Sequence, residues 1–110
     1  MRLLEIRHVL ERTHDPDSRV RRKALHDLCP CRVRSNEVGV WDRLLEMRHD
    51  REPSVRSLVL HCLTDGSPRV REEEVVEALE GIANDPDRRL RRRARGILAH
   101  YRRTGRVNQE

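Results

Sequence analysis

Apolar positions recur along this chain at helical spacing, and the same stripe is written three times. Val20, Ala24 and Leu28 fall at i, i+4 and i+8 in DPDSRVRRKALHDL (15–28). Val55, Val59 and Leu63 do so in DREPSVRSLVLHCL (50–63), and Leu90, Ala94 and Leu98 in DPDRRLRRRARGIL (85–98). The three segments align without gaps and begin at 15, 50 and 85, a period of 35 residues. A stripe of this spacing predicts an amphipathic helix. A fixed period of this size predicts a stack of similar units, each burying its apolar face against the next. The leading Asp15, Asp50 and Asp85 are predicted N-caps, with Pro16 and Pro86 at the first helical position, where a missing N–H is harmless.

A second helix type precedes each aspartate. Val75, Val76, Leu79, Ile82 and Ala83 share a face; Val40, Trp41, Leu44 and Met47 occupy the same columns, and Ile6, Val9 and Leu10 do so more weakly. Six helices are predicted, over 2–13, 17–29, 37–48, 52–63, 71–83 and 87–103, in three antiparallel pairs. The connector Cys29–Asn36 holds Pro30 and Ser35, while TDGSPR (64–69) places Gly66 as a left-handed stop ahead of Pro68. The reading is one domain over 1–105, with repeats at about 1–29, 36–63 and 68–103. Gly105 stops the last helix, and 106–110 is a frayed tail. Cys29 and Cys62 are expected to be small core residues and Tyr101 to seal the last helix.

The recurring Asp, then a hydrophobic–Arg pair, then Ala, then Leu resembles the HEAT repeat. It stands here as Asp15…Val20-Arg21…Ala24…Leu28, Asp50…Val55-Arg56…Leu63 and Asp85…Leu90-Arg91…Ala94…Leu98. Val59 departs from the small-residue column. The resemblance is to a small bacterial HEAT-repeat protein with HEAT-like repeats of the phycobilin-lyase type. It implies an all-α fold, an α-solenoid of three HEAT-like helix pairs (six helices). It also implies a structural ladder between neighbouring repeats, built from Asp15, Arg21, Asp50, Arg56, Asp85 and Arg91. The family serves as scaffolds, transport adaptors, accessory lyase subunits and DNA-damage readers, so the fold alone leaves function open.

Charge narrows the picture. The chain of 110 residues has 24 Lys and Arg against 19 Asp and Glu, a net charge of +5. The excess is local: residues 85–110 hold nine Arg and three acids, while residues 1–84 are close to neutral. Such a patch favours phosphates or acidic partners. Arg makes up 23 of the 24 basic residues, which codon usage in a GC-rich genome also produces. With the second helix of each pair drawn as a wheel at about 100° per residue, Arg19, Arg22 and His26 oppose the apolar stripe, with Lys23 at the edge. The matching positions are Ser57, His61 and the edge residue Leu58 in the second repeat, and Arg89, Arg92 and the edge residue Arg93 in the third. In HEAT solenoids the second helices line the concave side. The resemblance therefore implies a basic concave face, with Leu58 as an exposed apolar contact between Lys23 and Arg93. Glu73, Glu77 and Glu80 make the opposite side acidic; simple solvation of both faces explains the same pattern.

Catalytic chemistry finds no support. There is no Gly-x-Ser-x-Gly, no phosphate-cradling loop and no His-Glu-x-x-His, and the five glycines stand singly. His26, Cys29, Cys31 and His61 are metal-ligand types, but Cys-Pro-Cys has one intervening residue where zinc motifs have two to four. No metal and no cofactor are expected. Cys31, followed by Arg32 and Arg34, has the cationic surroundings of a reactive thiol. The first residues carry charge too early for a signal peptide, no apolar run spans a membrane, and three cysteines fit a reducing compartment. A cytoplasmic protein is expected. The functional expectation is a non-catalytic scaffold or adaptor whose basic face takes an acidic segment of another protein, with end-to-end stacking giving a homodimer. The alternative is nucleic-acid backbone binding through the arginine-rich last repeat.

Overall fold

The computed structural model describes residues 3–29 and 39–108. Among the described residues six α-helices follow in order: α1 (Leu3–Arg12), α2 (Ser18–Leu28), α3 (Val40–Glu46), α4 (Pro53–Leu63), α5 (Glu72–Ile82) and α6 (Arg88–Thr104). There is no strand among the described residues. Short 3₁₀ turns extend α3 (Met47–His49) and precede α5 (Arg69–Arg71). The helices pair as α1–α2, α3–α4 and α5–α6. The second helices form one layer, with α4 between α2 and α6, and α3 lies against α5 in the other. The body measures 40 × 28 × 19 Å. This is the all-α stack of three helix pairs that the 35-residue period predicts. None of the helices among the described residues is long and apolar enough to cross a membrane.

The core runs between the layers. Ala24, Leu28, Val55, Val59, Leu63, Leu90, Ala94 and Leu98 of the stripe are buried, joined by Leu44, Val75, Leu79 and Ile82 from the first helices. Cys29, Cys62 and Trp41 are buried among them, and Tyr101 packs against the cluster. Val20 is only half-buried. It lies about 100° round α2 from the Arg21 side that meets the next repeat, and α2 has only α4 beside it in its layer.

Two sequence expectations are corrected here. The caps of α2 and α6 are Asp17 and Asp87, two residues later than expected. Asp17 accepts from the Arg19 N–H at 2.9 Å, and Asp87 from the Leu90 N–H at 3.1 Å. Pro16 and Pro86 therefore precede the helices, and it is Pro53 that opens one. Asp15, Asp50 and Asp85 instead close the turn before each cap, accepting from the N–H two residues on at 2.8, 2.9 and 2.8 Å. This local side-chain bond holds the backbone in a turn and postpones the helix. The second correction concerns the tail. Gly105 stops α6 in the left-handed region (φ 70°) as expected. Beyond it, Val107 is buried, and the Asn108 side-chain oxygen Oδ1 accepts from the N–H groups of Gly66 and Ser67 at 2.9 and 2.7 Å. An apolar residue just past the stop folds back onto the stack and ties it to the α4–α5 connector. Pro30, Cys31, Ser35 and the start of the third helix at 37 lie outside the described residues.

Candidate functional site

The ladder positions set the frame on which the exposed residues sit. Arg21 donates from Nε and Nη2 to the two carboxylate oxygens of Asp50, at 2.8 and 3.0 Å. Arg56 repeats this on Asp85 at 2.9 and 3.1 Å. Each arginine also reaches back to the turn of its own repeat: Arg21 donates to the carbonyl of Asp15, Arg56 to that of Asp50 and Arg91 to that of Asp85. Asp15 and Arg91 stand at the two ends of the series, and neither forms an ion pair among the described residues. The bidentate geometry is the strong form of an arginine–carboxylate pair. Burial alone would raise the Asp50 carboxyl. The Arg21 side chain, the Glu52 N–H and the charges of Arg21 and Arg51 outweigh it and hold the group below its ordinary value. The Asp50 carboxylate in turn raises Arg21.

The first helices are joined by different chemistry. Arg43 on α3 donates to the Thr13 hydroxyl and carbonyl at 2.9 and 3.0 Å. Arg71, before α5, donates to Asp42 at 2.7 Å. Neither link repeats at the 35-residue period, so periodicity does not reveal them.

On the layer of second helices, Arg22, Arg89 and Arg92 are exposed and form no ion pair among the described residues. Arg93 crosses from α6 to α4 and donates to the Ser57 hydroxyl at 3.1 Å, which joins two of the expected face residues directly. Arg19 is exposed but folds onto its own cap, with Nη2 3.1 Å from Asp17. That side-chain bond lowers Asp17 and raises Arg19. Lys23 is held by Asp27 at 2.9 Å. The first repeat thus contributes less uncompensated charge than its composition suggests. His26 is half-buried and His61 is exposed. Leu58 is a correction: it is 8% exposed and belongs to the core. α4 is flanked on both sides by α2 and α6, so a wider arc of it is covered than of the end helices, where Lys23 and Arg93 stay exposed.

The 17 residues of α6 concentrate the charge. Leu90, Ala94, Ile97 and Leu98 are buried, and on the opposite side Arg88, Arg92 and Arg103 form a ridge about 22 Å long. Arg88 and Arg89 stand in the first helical turn, where the helix dipole disfavours positive charge. Arg91 and Arg95 are occupied instead with main-chain carbonyls; Arg95 donates to Ala83 at 2.9 Å.

One further cluster includes Cys29 and His61, which the sequence marks as metal-ligand types, and adds Asp65, which it does not. At the other end of the α2–α4 contact, Cys29, His61 and Asp65 bring a thiol, an imidazole and a carboxylate within 4.8 Å of one another. The Cys29-to-Asp65 contact joins residues 36 apart, as does Arg93 to Ser57, so neighbouring second helices meet at the period plus one. That offset is the signal that would have paired Cys29 with Asp65.

Comparison with known proteins agrees with this architecture. A family model described as HEAT repeats matches residues 6–99. Searches of curated proteins and of solved structures each returned no match. The matched stretch spans all three helix pairs and both arginine–aspartate rungs, and the chain belongs to the HEAT-repeat family.

Proposed function

We propose that this protein is a non-catalytic adaptor in the cytoplasm, and that the outer face of α2, α4 and α6 receives an acidic segment of another protein. HEAT repeats generally mediate protein interactions as scaffolds. The observation that carries the finer reading is the set of exposed guanidinium groups without ion-pair partners among the described residues: Arg22, Arg89 and Arg92. Arg88 and Arg89 work against the dipole of their own helix, which is accounted for if an anionic partner offsets them. His26, Ser57 and His61 would add further hydrogen-bonding groups, with Arg93 bridging the last two repeats. Across the stack, Glu73, Glu77 and Glu80 are exposed on α5, and opposed charge on two faces orients a partner during encounter.

The reading is tested by affinity capture with the wild type, Arg22→Glu/Arg92→Glu and, on the other face, Glu73→Lys/Glu77→Lys. The arginine variant is expected to lose the captured partner and the glutamate variant to keep it. An unchanged set of partners from the arginine variant would show the face to be idle.

The ridge of Arg88, Arg92 and Arg103, together with the exposed Arg89, Arg102 and Arg106, supports nucleic-acid backbone binding as the second reading. Each phosphate neutralised on duplex DNA contributes about −0.9 to the slope of log K against log salt, so four or five contacts give about −4. Titration of labelled duplex and single-stranded oligonucleotides measures that slope. No binding at low salt eliminates this alternative.

A further inference from the structure

The cluster at the C-terminal ends of α2 and α4 shares His61 with the proposed docking face, while Cys29 and Asp65 lie outside it. We infer that Cys29, His61 and Asp65 form a binding site for a zinc-like divalent cation, clamping the first repeat to the second.

Three observations lead to this. First, the donor set is right. A thiolate, an imidazole nitrogen and a carboxylate oxygen are the ligands zinc takes, at about 2.3, 2.0–2.1 and 2.0–2.2 Å. Second, two of the three separations fit, and the third, sulfur to imidazole, is within 4.8 Å. Around one tetrahedral ion those bond lengths place ligand atoms about 3.3–3.6 Å apart. Cys29 Sγ lies 3.6 Å from Asp65 Oδ2, and His61 Nε2 lies 3.6 Å from the same oxygen. The imidazole distance is too long for a hydrogen bond, and an ion seated among the three atoms would close it through metal–ligand bonds. Third, the elements fix the site without strain. Cys29 is the C-cap residue of α2 and is buried. His61 and Asp65 are four residues apart across the end of α4 and remain partly exposed, their side chains 51% and 34% accessible. The sulfur is thus anchored in the core, while the two harder ligands open to solvent, which supplies a path for the ion and a water for the fourth position.

On binding, the S–H bond of Cys29 breaks and its proton leaves to solvent. The sulfur, the neutral imidazole and the ionised carboxylate each donate an electron pair to the cation. No oxidation state changes. The two negative ligands balance the dication. The clamp lies at the opposite end of the α2–α4 contact from the Arg21–Asp50 rung, so the two hold that interface at both ends.

Cobalt(II) is the probe, because a thiolate ligand gives a charge-transfer band and tetrahedral coordination gives strong visible bands. The full chain, kept reduced, is titrated with cobalt chloride, then with zinc chloride. The expected result is one ion per chain, a thiolate band, and displacement by one equivalent of zinc. The band should survive in Cys31→Ser/Cys62→Ala and vanish in Cys29→Ser. His61→Gln and Asp65→Asn should each weaken binding by more than about 100-fold, beyond the 10–100-fold that loss of an orienting partner causes. His26→Gln should leave it unchanged. Free zinc at about 100 times its Kd should raise the wild-type Tm by about 10 °C or more, and should not raise that of His61→Gln. No thiolate band, a band that persists in Cys29→Ser, or affinity unaffected by both His61→Gln and Asp65→Asn would overturn the site.

Discussion

Asp50→Asn should lower the melting temperature by about 12 °C or more, while Asp15→Asn, one repeat earlier in the same column, should lower it by only a few degrees. The Asp50 carboxylate takes two hydrogen bonds from Arg21, and both side chains are less than a tenth exposed. Neutralising it strands a buried guanidinium, and breaking a buried pair by removing one partner costs about 3–5 kcal/mol. Arg21 keeps its bonds to the carbonyls of Asp15 and Pro16, so the lower figure applies. At about 4–8 °C per kcal/mol for a domain near this size, about 3 kcal/mol gives the stated shift. Asp15 serves only its own turn, accepting from the Asp17 N–H at 2.8 Å. An asparagine oxygen accepts that bond equally well, so the loss should stay within about 0.5 kcal/mol.

The same pair predicts a pH dependence. The folded state holds Asp50 below its ordinary value. Its contribution is therefore full above the unfolded value of about 3.9 and is lost as pH falls through the folded value. The gap in Tm between wild type and Asp50→Asn should be largest near neutrality and should narrow in acid. Thermal melts of the three proteins across pH measure both effects. Equal losses for Asp15→Asn and Asp50→Asn would mean that the turn, and not the rung, carries the energy.

Trp41→Ala should be at least as damaging, by about 4 kcal/mol and on the order of 20 °C. Trp41 is the chain's single tryptophan, and it is 5% exposed on α3 in the column of Ile6 and Val76. With one Trp, one Tyr and no Phe, the core has little other bulk to close over the gap. Net stabilities are about 5–15 kcal/mol, so the loss removes a large share of the total while leaving the exposed arginines untouched. A melt with an unchanged midpoint would remove Trp41 from the packing; loss of partner capture by a variant that melts normally would make it a contact residue instead.

Most of the architecture was legible because the pattern is repeated. Three aligned copies place six helices to within a few residues, and the recurrence of Asp15, Asp50 and Asp85 with Arg21, Arg56 and Arg91 marks the inter-repeat columns. What failed was what the columns cannot encode. An Asp ahead of a helix reads as a cap, yet these three close the preceding turn, so the caps fall two residues later and the helices start one residue later than expected. A wheel treats every helix alike, yet α4 has a neighbour on each side, and Leu58 is buried where Lys23 and Arg93 are not. The period says which residues are equivalent, not which ones touch. Rungs join residues 29 apart, and contacts farther along the second helices join residues 36 apart. Asp65 went unnoticed for that reason.

The Asp50 Oδ1 atom accepts at once from the Glu52 N–H of its own turn and from Arg21 of the preceding repeat, and Asp85 Oδ1 does the same for Asp87 and Arg56. One oxygen therefore serves both a local bend and a long-range joint. If the joint parts, the bend loses its companion charge; if the bend relaxes, the acceptor swings away from its guanidinium. Local melting of a single helix pair is penalised by its neighbour, so three short units, each too small to stand alone, are made to open and close as one.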